Sequence, residues 1–165
     1  MLRWKNRKGF TLIELIIVIG IIAALAIIGS FAYRPMVRNA RIRAWNQTMD
    51  SVKTALAAYA NDHGGHYPAA PSSATDFNSW AQGNGLAKYI DKEVVNPFFK
   101  DTAVQIGANY DSALDGDASG NAPSGAVIGY TVSGPDSDGL YHYTMTYKIG
   151  GQEYTVKDAL DNSGS

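Results

Sequence analysis

Close to its N-terminus the chain has a long apolar run, and an amphipathic segment follows it. From Phe10 to Tyr33 the only charged residue is Glu14. A helix over these 24 residues would be about 36 Å long, which is enough to cross a hydrocarbon core of about 30 Å. The pattern predicts a transmembrane helix at 10–33.

Beyond Pro35 the apolar residues fall on one face of a helix. They recur at spacings of three and four, as on a helix that covers a core, at Ile42, Trp45, Met49, Val52, Leu56 and Tyr59. Gly64 and Gly65 should end this helix, because glycine readily adopts the left-handed conformation of a C-cap. The sequence predicts that the apolar face packs on a sheet.

Three stretches in the C-terminal part are predicted strands: 126–133, 140–149 and 152–157. The second alternates apolar and polar residues, which is typical of a half-buried strand. Gly150 and Gly151 predict the tight turn of an antiparallel hairpin. We therefore predict an α+β fold in which the amphipathic half of the helix packs on a small antiparallel sheet of three to four strands.

The predicted organisation has six segments. A short helical piece is expected near 77–90, and the stretch 107–125, rich in Gly, Ala, Ser and Asp, is expected to be an exposed loop. The segments are a leader at 1–9, an apolar helix at 10–33, an amphipathic helix at 34–61, a helix-to-sheet region at 62–106, an antiparallel sheet with acidic loops at 107–158, and a flexible tail at 159–165.

Charge divides the chain in the same way, although the net charge is only −1. From Asp62 onward there are five lysines against thirteen acids. Such a division favours membrane orientation or ordered assembly over catalysis. The basic residues near the N-terminus should hold 1–8 in the cytoplasm. They are Arg3, Lys5, Arg7 and Lys8, and a second basic group follows the apolar run at Arg34, Arg38, Arg41 and Arg43.

Glu14 is the residue that the simplest interpretations leave unexplained. A secretory signal peptide would have a shorter apolar run and a small-residue cleavage site after it. A plain membrane anchor fits the length, but a carboxylate inside the membrane costs about 2.5–3.5 kcal/mol. No cation within the apolar run can pair with Glu14.

The residues around Glu14 resemble a known processing signal. They read Lys8-Gly9-Phe10-Thr11-Leu12-Ile13-Glu14, which is similar to the cleavage and methylation motif of type IV prepilins and type II secretion pseudopilins. The resemblance implies cleavage after Gly9 by a prepilin peptidase, and N-methylation of Phe10. It also implies that Glu14 of one subunit pairs with the new ammonium group at Phe10 of its neighbour.

The function implied by this resemblance is that of a structural precursor with a pilin-like fold. Processed subunits would polymerise with identical and related subunits through their N-terminal helices. The implied partners are the peptidase, an inner-membrane assembly platform and the membrane itself. Before assembly the chain would cross the cytoplasmic membrane once, and afterwards it would lie in a pilus at the cell surface.

Two shorter stretches keep a second interpretation open: the first resembles pseudopilins and Gram-positive-type pilins, and the second resembles pseudopilins. They are His66-Tyr67-Pro68 at the predicted helix end and Tyr89-Ile90 with Asn96-Pro97-Phe98 further on. A pseudopilin would form a short periplasmic fibre for protein secretion. A third interpretation is a membrane-anchored binding domain that never polymerises.

No enzyme motif is present, and without cysteine the chain has no disulfide or thiolate chemistry. The four arginines after the apolar run lack base-reading companions, so no specific nucleic acid is implied. Asp136 and Asp138 flank a turn, where they would either cap the turn or bind calcium through oxygen ligands. His63 and His66 are metal candidates by spacing alone. No other cofactor is predicted.

Overall fold

The computed structural model of the chain describes residues 9–158, apart from the side chains at 29–32. The predicted tail and all of the predicted leader except Gly9 lie outside the described residues. The chain divides into two compact units, 1–40 and 41–165, which we call the N-terminal unit and the head. Each is described by itself below.

The first element is a helix, α1, from Leu12 to Asp62, with Pro35 inside it. This helix is long and apolar enough to cross a membrane, judged by length and composition. The large apolar side chains from Leu12 to Ile28 are all exposed in the isolated chain. The N-terminal unit therefore has no core of its own among the described side chains.

Within the head, the remainder of α1 carries the predicted apolar face. Trp45, Met49, Val52 and Leu56 are at most 1% exposed, and Ile42 and Tyr59 pack against the same core. The helix ends as expected, with Gly64 and Gly65 at φ angles of 65° and 87°. The Gly65 N–H donates to the Ala60 carbonyl at 2.8 Å, which satisfies one of the carbonyls left free at a helix end.

The head also contains a five-stranded sheet in the order β1-β2-β3-β4-β5. β2 and β3 are parallel, and the other neighbours are antiparallel. A helix, α2, spans Phe77–Gly83, and a 3-10 turn spans Leu86–Tyr89. The strands are β1 (Thr75–Asp76), β2 (Gln105–Gly107), β3 (Ile128–Ser133), β4 (His142–Ile149) and β5 (Gln152–Lys157).

These elements confirm the predicted α+β class and add two short strands to it. β1 and β2 have two and three residues, too few to show the alternation from which strands are recognised. In β4 the predicted face is buried, at Tyr143, Met145, Tyr147 and Ile149. Gly150 and Gly151 have φ angles of 61° and 81°, as a two-residue hairpin turn of the common primed type requires.

The expectation of an exposed loop at 107–125 is wrong at Leu114. Leu114 is fully buried, and its N–H donates to the Lys148 carbonyl of β4 at 2.8 Å. The buried amide of Asn96 donates to the Leu114 carbonyl at 3.0 Å and accepts from two backbone N–H groups. The reason is that Leu114 meets a partner, the Asn96 amide, that lies 18 residues earlier and is not visible in the local composition.

Candidate functional site

The start of α1 brings together the residues of the predicted processing junction. Gly9, Phe10 and Thr11 precede the helix, and Phe10 is 87% exposed. Open space surrounds the position that a side chain on Gly9 would occupy. The peptide bond between Gly9 and Phe10 therefore lies in non-helical, uncovered backbone, as a bond entering a protease cleft must.

Glu14 is held by the residue that begins the helix. Its Oε2 accepts from the Thr11 N–H at 2.8 Å and from the Thr11 hydroxyl at 2.9 Å. In return, the Thr11 hydroxyl oxygen accepts from the Glu14 N–H at 3.3 Å. The first helical bond follows, from the Leu15 N–H to the Thr11 carbonyl at 3.2 Å. These contacts form a capping box, in which the first and fourth residues satisfy each other's backbone donors.

This capping box changes the problem posed by Glu14. The carboxylate has no cation within the apolar run, but it does have two hydrogen-bond donors on Thr11. Sequence reasoning missed Thr11 as a functional residue, although the Thr-x-x-Glu spacing is a recognised start signal for a helix. Glu14 thus has a local partner in the single chain.

The described arginines near the unit boundary are exposed. In the head, the Arg41 guanidinium carbon lies 6.0 Å from the centroid of the Phe98 ring, at the outer limit for a cation–π contact. The basic residues predicted to precede the junction lie outside the described residues.

The predicted calcium residues take part in a different arrangement. Asp136 Oδ1 accepts from the backbone N–H groups of Asp138 and Leu140 at 2.9 and 2.8 Å. Its Oδ2 lies 2.9 Å from Nε2 of His142, and the other ring nitrogen of His142 lies 2.9 Å from Oδ2 of Asp158. The imidazole ring thus lies between the carboxylates of Asp136 and Asp158, so these two carboxylates do not converge on one point.

No group of three or more histidine, aspartate or glutamate side chains in the described part of the chain is arranged to hold a metal ion. Asp136 binds chain donors with both oxygens, as in the turn-capping alternative. Asp117, another acidic residue of the 107–158 segment, likewise accepts from backbone N–H groups, those of Ser119 and Asn121. Calcium at Asp136 and Asp138 remains an untested prediction, and these contacts lend it no support.

The two histidines at the end of α1 also contact aromatic rings. His63 stacks on Tyr59 with centroids 3.8 Å apart, and His66 lies 4.2 Å from the Tyr141 ring centroid. Nδ1 of His63 is within 2.8 Å of the Tyr59 carbonyl oxygen. The two rings thus pack on separate tyrosines, which favours a packing role over metal binding.

Comparison with known proteins gives a family match to the N-terminal part of the chain. A family model described as the prokaryotic N-terminal methylation motif matches residues 4–30. The chain is 48% identical over 60 residues to the prepilin peptidase-dependent protein D of Escherichia coli (strain K12). That match covers 36% of this chain and 41% of the relative. No solved structure matches the chain.

These matches confirm the resemblance to prepilin-type proteins. The methylation motif includes Gly9, Phe10, Thr11 and Glu14, the residues that the structure brings together at the start of α1. Because the family match ends at residue 30, it says nothing about the head.

Proposed function

We propose that this chain is the precursor of a structural subunit of a type IV pilus-like filament. In this proposal a prepilin peptidase cuts after Gly9, and the new N-terminus at Phe10 is methylated. The methylation motif at residues 4–30 is the observation that carries the proposal. The uncovered backbone at Gly9 and the exposed apolar face of α1 support it.

The exposed apolar residues explain why such a subunit would need partners. Burying one Leu, Ile or Phe side chain contributes about 1.5–3 kcal/mol, and the N-terminal unit leaves all those from Phe10 to Ile28 uncovered. Lipid would cover them while the subunit waits in the cytoplasmic membrane. The helices of identical or related subunits would cover them in the filament.

Glu14 and Phe10 are the proposed contact that sets the register between subunits. Cleavage creates an ammonium group at Phe10, next to the capping residue Thr11. In a bundle of apolar helices this group and the Glu14 carboxylate of a neighbour would pair, because either charge alone would be costly in low dielectric. The donors on Thr11 would hold the carboxylate until the neighbouring subunit arrives.

The proposed assignment leaves a structural role and no catalytic one. Its partners are the peptidase, an inner-membrane assembly platform and other subunits. It requires no cofactor, and a calcium ion at Asp136 would have to displace the imidazole of His142 or backbone donors that already bind the carboxylate.

A pseudopilin of a type II secretion system is the second candidate. It is favoured by the stretches Tyr67-Pro68 and Asn96-Pro97-Phe98, and the second of these is built around the buried Asn96 amide. A pseudopilin would use the same junction and the same Glu14 contact. The two candidates differ in where the filament ends and how long it becomes.

Mass spectrometry of the mature protein tests the first step. We expect a chain beginning with methylated Phe10, whereas Met1 retained on the mature protein would contradict the filament proposal and favour the membrane-anchored domain. Electron microscopy of filaments sheared from cells then separates the two branches. Long surface filaments that contain this chain indicate a pilus, and their absence alongside correct processing indicates a pseudopilin.

A further inference from the structure

The loop between β3 and β4 is tied to the end of β5 through a single histidine. His142, the first residue of β4, contacts Asp136 of that loop through Nε2 and Asp158 through Nδ1, both at 2.9 Å. Asp158 directly follows β5. The imidazole therefore joins two segments that are separate in sequence.

The geometry specifies the protonation state in which both contacts are favourable. A neutral imidazole has one N–H donor and one nitrogen lone pair, whereas an imidazolium has two donors. The two carboxylates can both accept a hydrogen bond from the ring only when both ring nitrogens carry a proton. In the neutral ring, a lone pair would face a carboxylate oxygen at 2.9 Å, and this contact would be repulsive.

The two carboxylates differ in their access to water. The Asp158 side chain is only 3% exposed, whereas that of Asp136 is 35% exposed. An ionised carboxylate that loses a hydrogen bond without gaining water carries a large desolvation penalty. When His142 loses a proton, the remaining N–H should stay with Asp158, and Asp136 should separate.

Asp136 also organises the loop that it belongs to. Its N–H donates to the Leu140 carbonyl, and its carbonyl accepts from Gly139, in addition to the two bonds at Oδ1. These bonds are internal to residues 136–140. The loop should therefore move as a preformed turn when the contact with His142 is lost.

We propose that His142 is a proton-operated clasp, which fastens the 134–140 loop to the end of β5 when doubly protonated and releases Asp136 when one proton leaves. Burial, and to a smaller extent the charge of nearby Asp158, raise the pKa of both Tyr67 and Tyr143, so both are neutral phenols near neutral pH. This inference does not depend on the proposed filament.

The direction of the pH effect follows from the two shifted groups. Hydrogen bonds to Asp136 and then to Asp158 raise the pKa of His142 above its ordinary 6.5. The clasp therefore contributes in full below pH 6.5 and weakens as pH rises through the raised value. The His142 contact also lowers the pKa of Asp136 below its ordinary 3.8, so the clasp weakens again only as pH falls through that lowered value.

Limited proteolysis of the full chain in detergent micelles tests the clasp. An endoprotease that cuts before aspartate reports on Asp136 and Asp138, while cutting before the exposed Asp91 and Asp101 corrects for the pH profile of the protease. We expect relative cutting in the loop to rise severalfold between pH 6 and pH 9. In His142→Arg, which stays charged, it should remain low, and in His142→Gln it should be independent of pH.

Equal relative cutting at both pH values in the unmodified chain would overturn the proposal, and so would the same rise in His142→Gln. Should the arginine variant fail to fold, NMR titration of the imidazole protons gives an independent reading. The chain has three histidines, so His142→Gln assigns the resonance by its loss. A midpoint for His142 above 6.5 supports the clasp, and one at or below 6.5 overturns it.

Discussion

The two units of this chain contain segments of one helix, yet its apolar residues are exposed in one unit and buried in the other. In the N-terminal unit Leu25 and Ile28 are 63% and 68% exposed. In the head, Trp45 and Leu56 are at most 1% exposed, under a sheet and α2. The head therefore provides its own cover, and the N-terminal unit must receive cover from lipid or from other chains.

The polar residues show the same difference. In the head, the buried Asn96 amide is bonded across a long stretch of sequence, to the Leu114 carbonyl. In the described part of the N-terminal unit, Glu14 is bonded to Thr11, three residues away. A local capping box leaves the carboxylate exposed and able to exchange partners, whereas the amide of Asn96 is fixed within a core.

The largest expected effect is that of Glu14→Ala on assembly. Removing one partner of a buried ion pair costs about 3–5 kcal/mol, so we expect filament yield to fall at least about tenfold while membrane insertion and the melting of the head stay unchanged. Sheared filaments quantified by immunoblot measure the yield. The matched control is Asp101→Ala, at an exposed position of the head. Normal filament yield from Glu14→Ala would refute the Glu14–Phe10 contact.

A matched pair of leucine variants tests the contrast in burial. Leu56→Ala removes a fully buried side chain and should destabilise the head by about 2–5 kcal/mol, because the cavity fills only partly. Leu25→Ala removes the same atoms from an exposed position and should leave the unfolding of the head unchanged. Chemical unfolding of both proteins in micelles, followed by tryptophan fluorescence, gives the two values. Equal effects would mean that the units share a core.

Asn96→Asp tests the long-range bond that holds the first half of the 107–125 segment. The substitution replaces the N–H donor facing the Leu114 carbonyl with an oxygen, so we expect a loss of about 1–3 kcal/mol in the free energy of unfolding. Asn109→Asp, at an exposed position, makes the same chemical change and should have little effect. A small effect at both positions would show that the amide of Asn96 is dispensable.

The smallest expected effect is local and concerns the capping box. Thr11→Val removes the hydroxyl but keeps the shape, and loss of such a cap costs about 0.5–2 kcal/mol. We expect faster amide exchange in the first turn of α1 in micelles, measured by NMR, with no change in the head. Thr11→Ser keeps the hydroxyl and should exchange like the unmodified chain. If the valine variant also exchanges like the unmodified chain, the capping box contributes little.

Periodic elements could be predicted from the sequence because their apolar residues recur at a regular spacing. The buried face of α1 in the head and the alternation in β4 were both recognised this way, and Gly64 and Gly150 fixed where the elements end. β1 and β2 could not be recognised, since strands of two and three residues are formed by their neighbours and have no pattern of their own. The burial of Leu114 was missed because its hydrogen-bond partners, Lys148 and Asn96, are distant in the sequence.

At the candidate site, the residue types and spacing of the junction were enough to predict roles for Gly9, Phe10 and Glu14. Thr11 was overlooked because its role depends on reciprocal bonds, although the Thr-x-x-Glu spacing predicts them. The acidic loop shows the opposite case. Asp136 and Asp138 fit a cation site by spacing, and only the fold places His142 beside Asp136.

The sequence by itself determined the apolar helix, the amphipathic face and the match to the methylation motif, because each depends on residues close together along the chain. The tertiary structure decided which polar groups meet. Asp136, His142 and Asp158 come together through the pairing of β3, β4 and β5, and Asn96 meets Leu114 through two loops. Contacts of this kind depend on how strands and loops lie in space, and the spacing of residues along the chain does not record that.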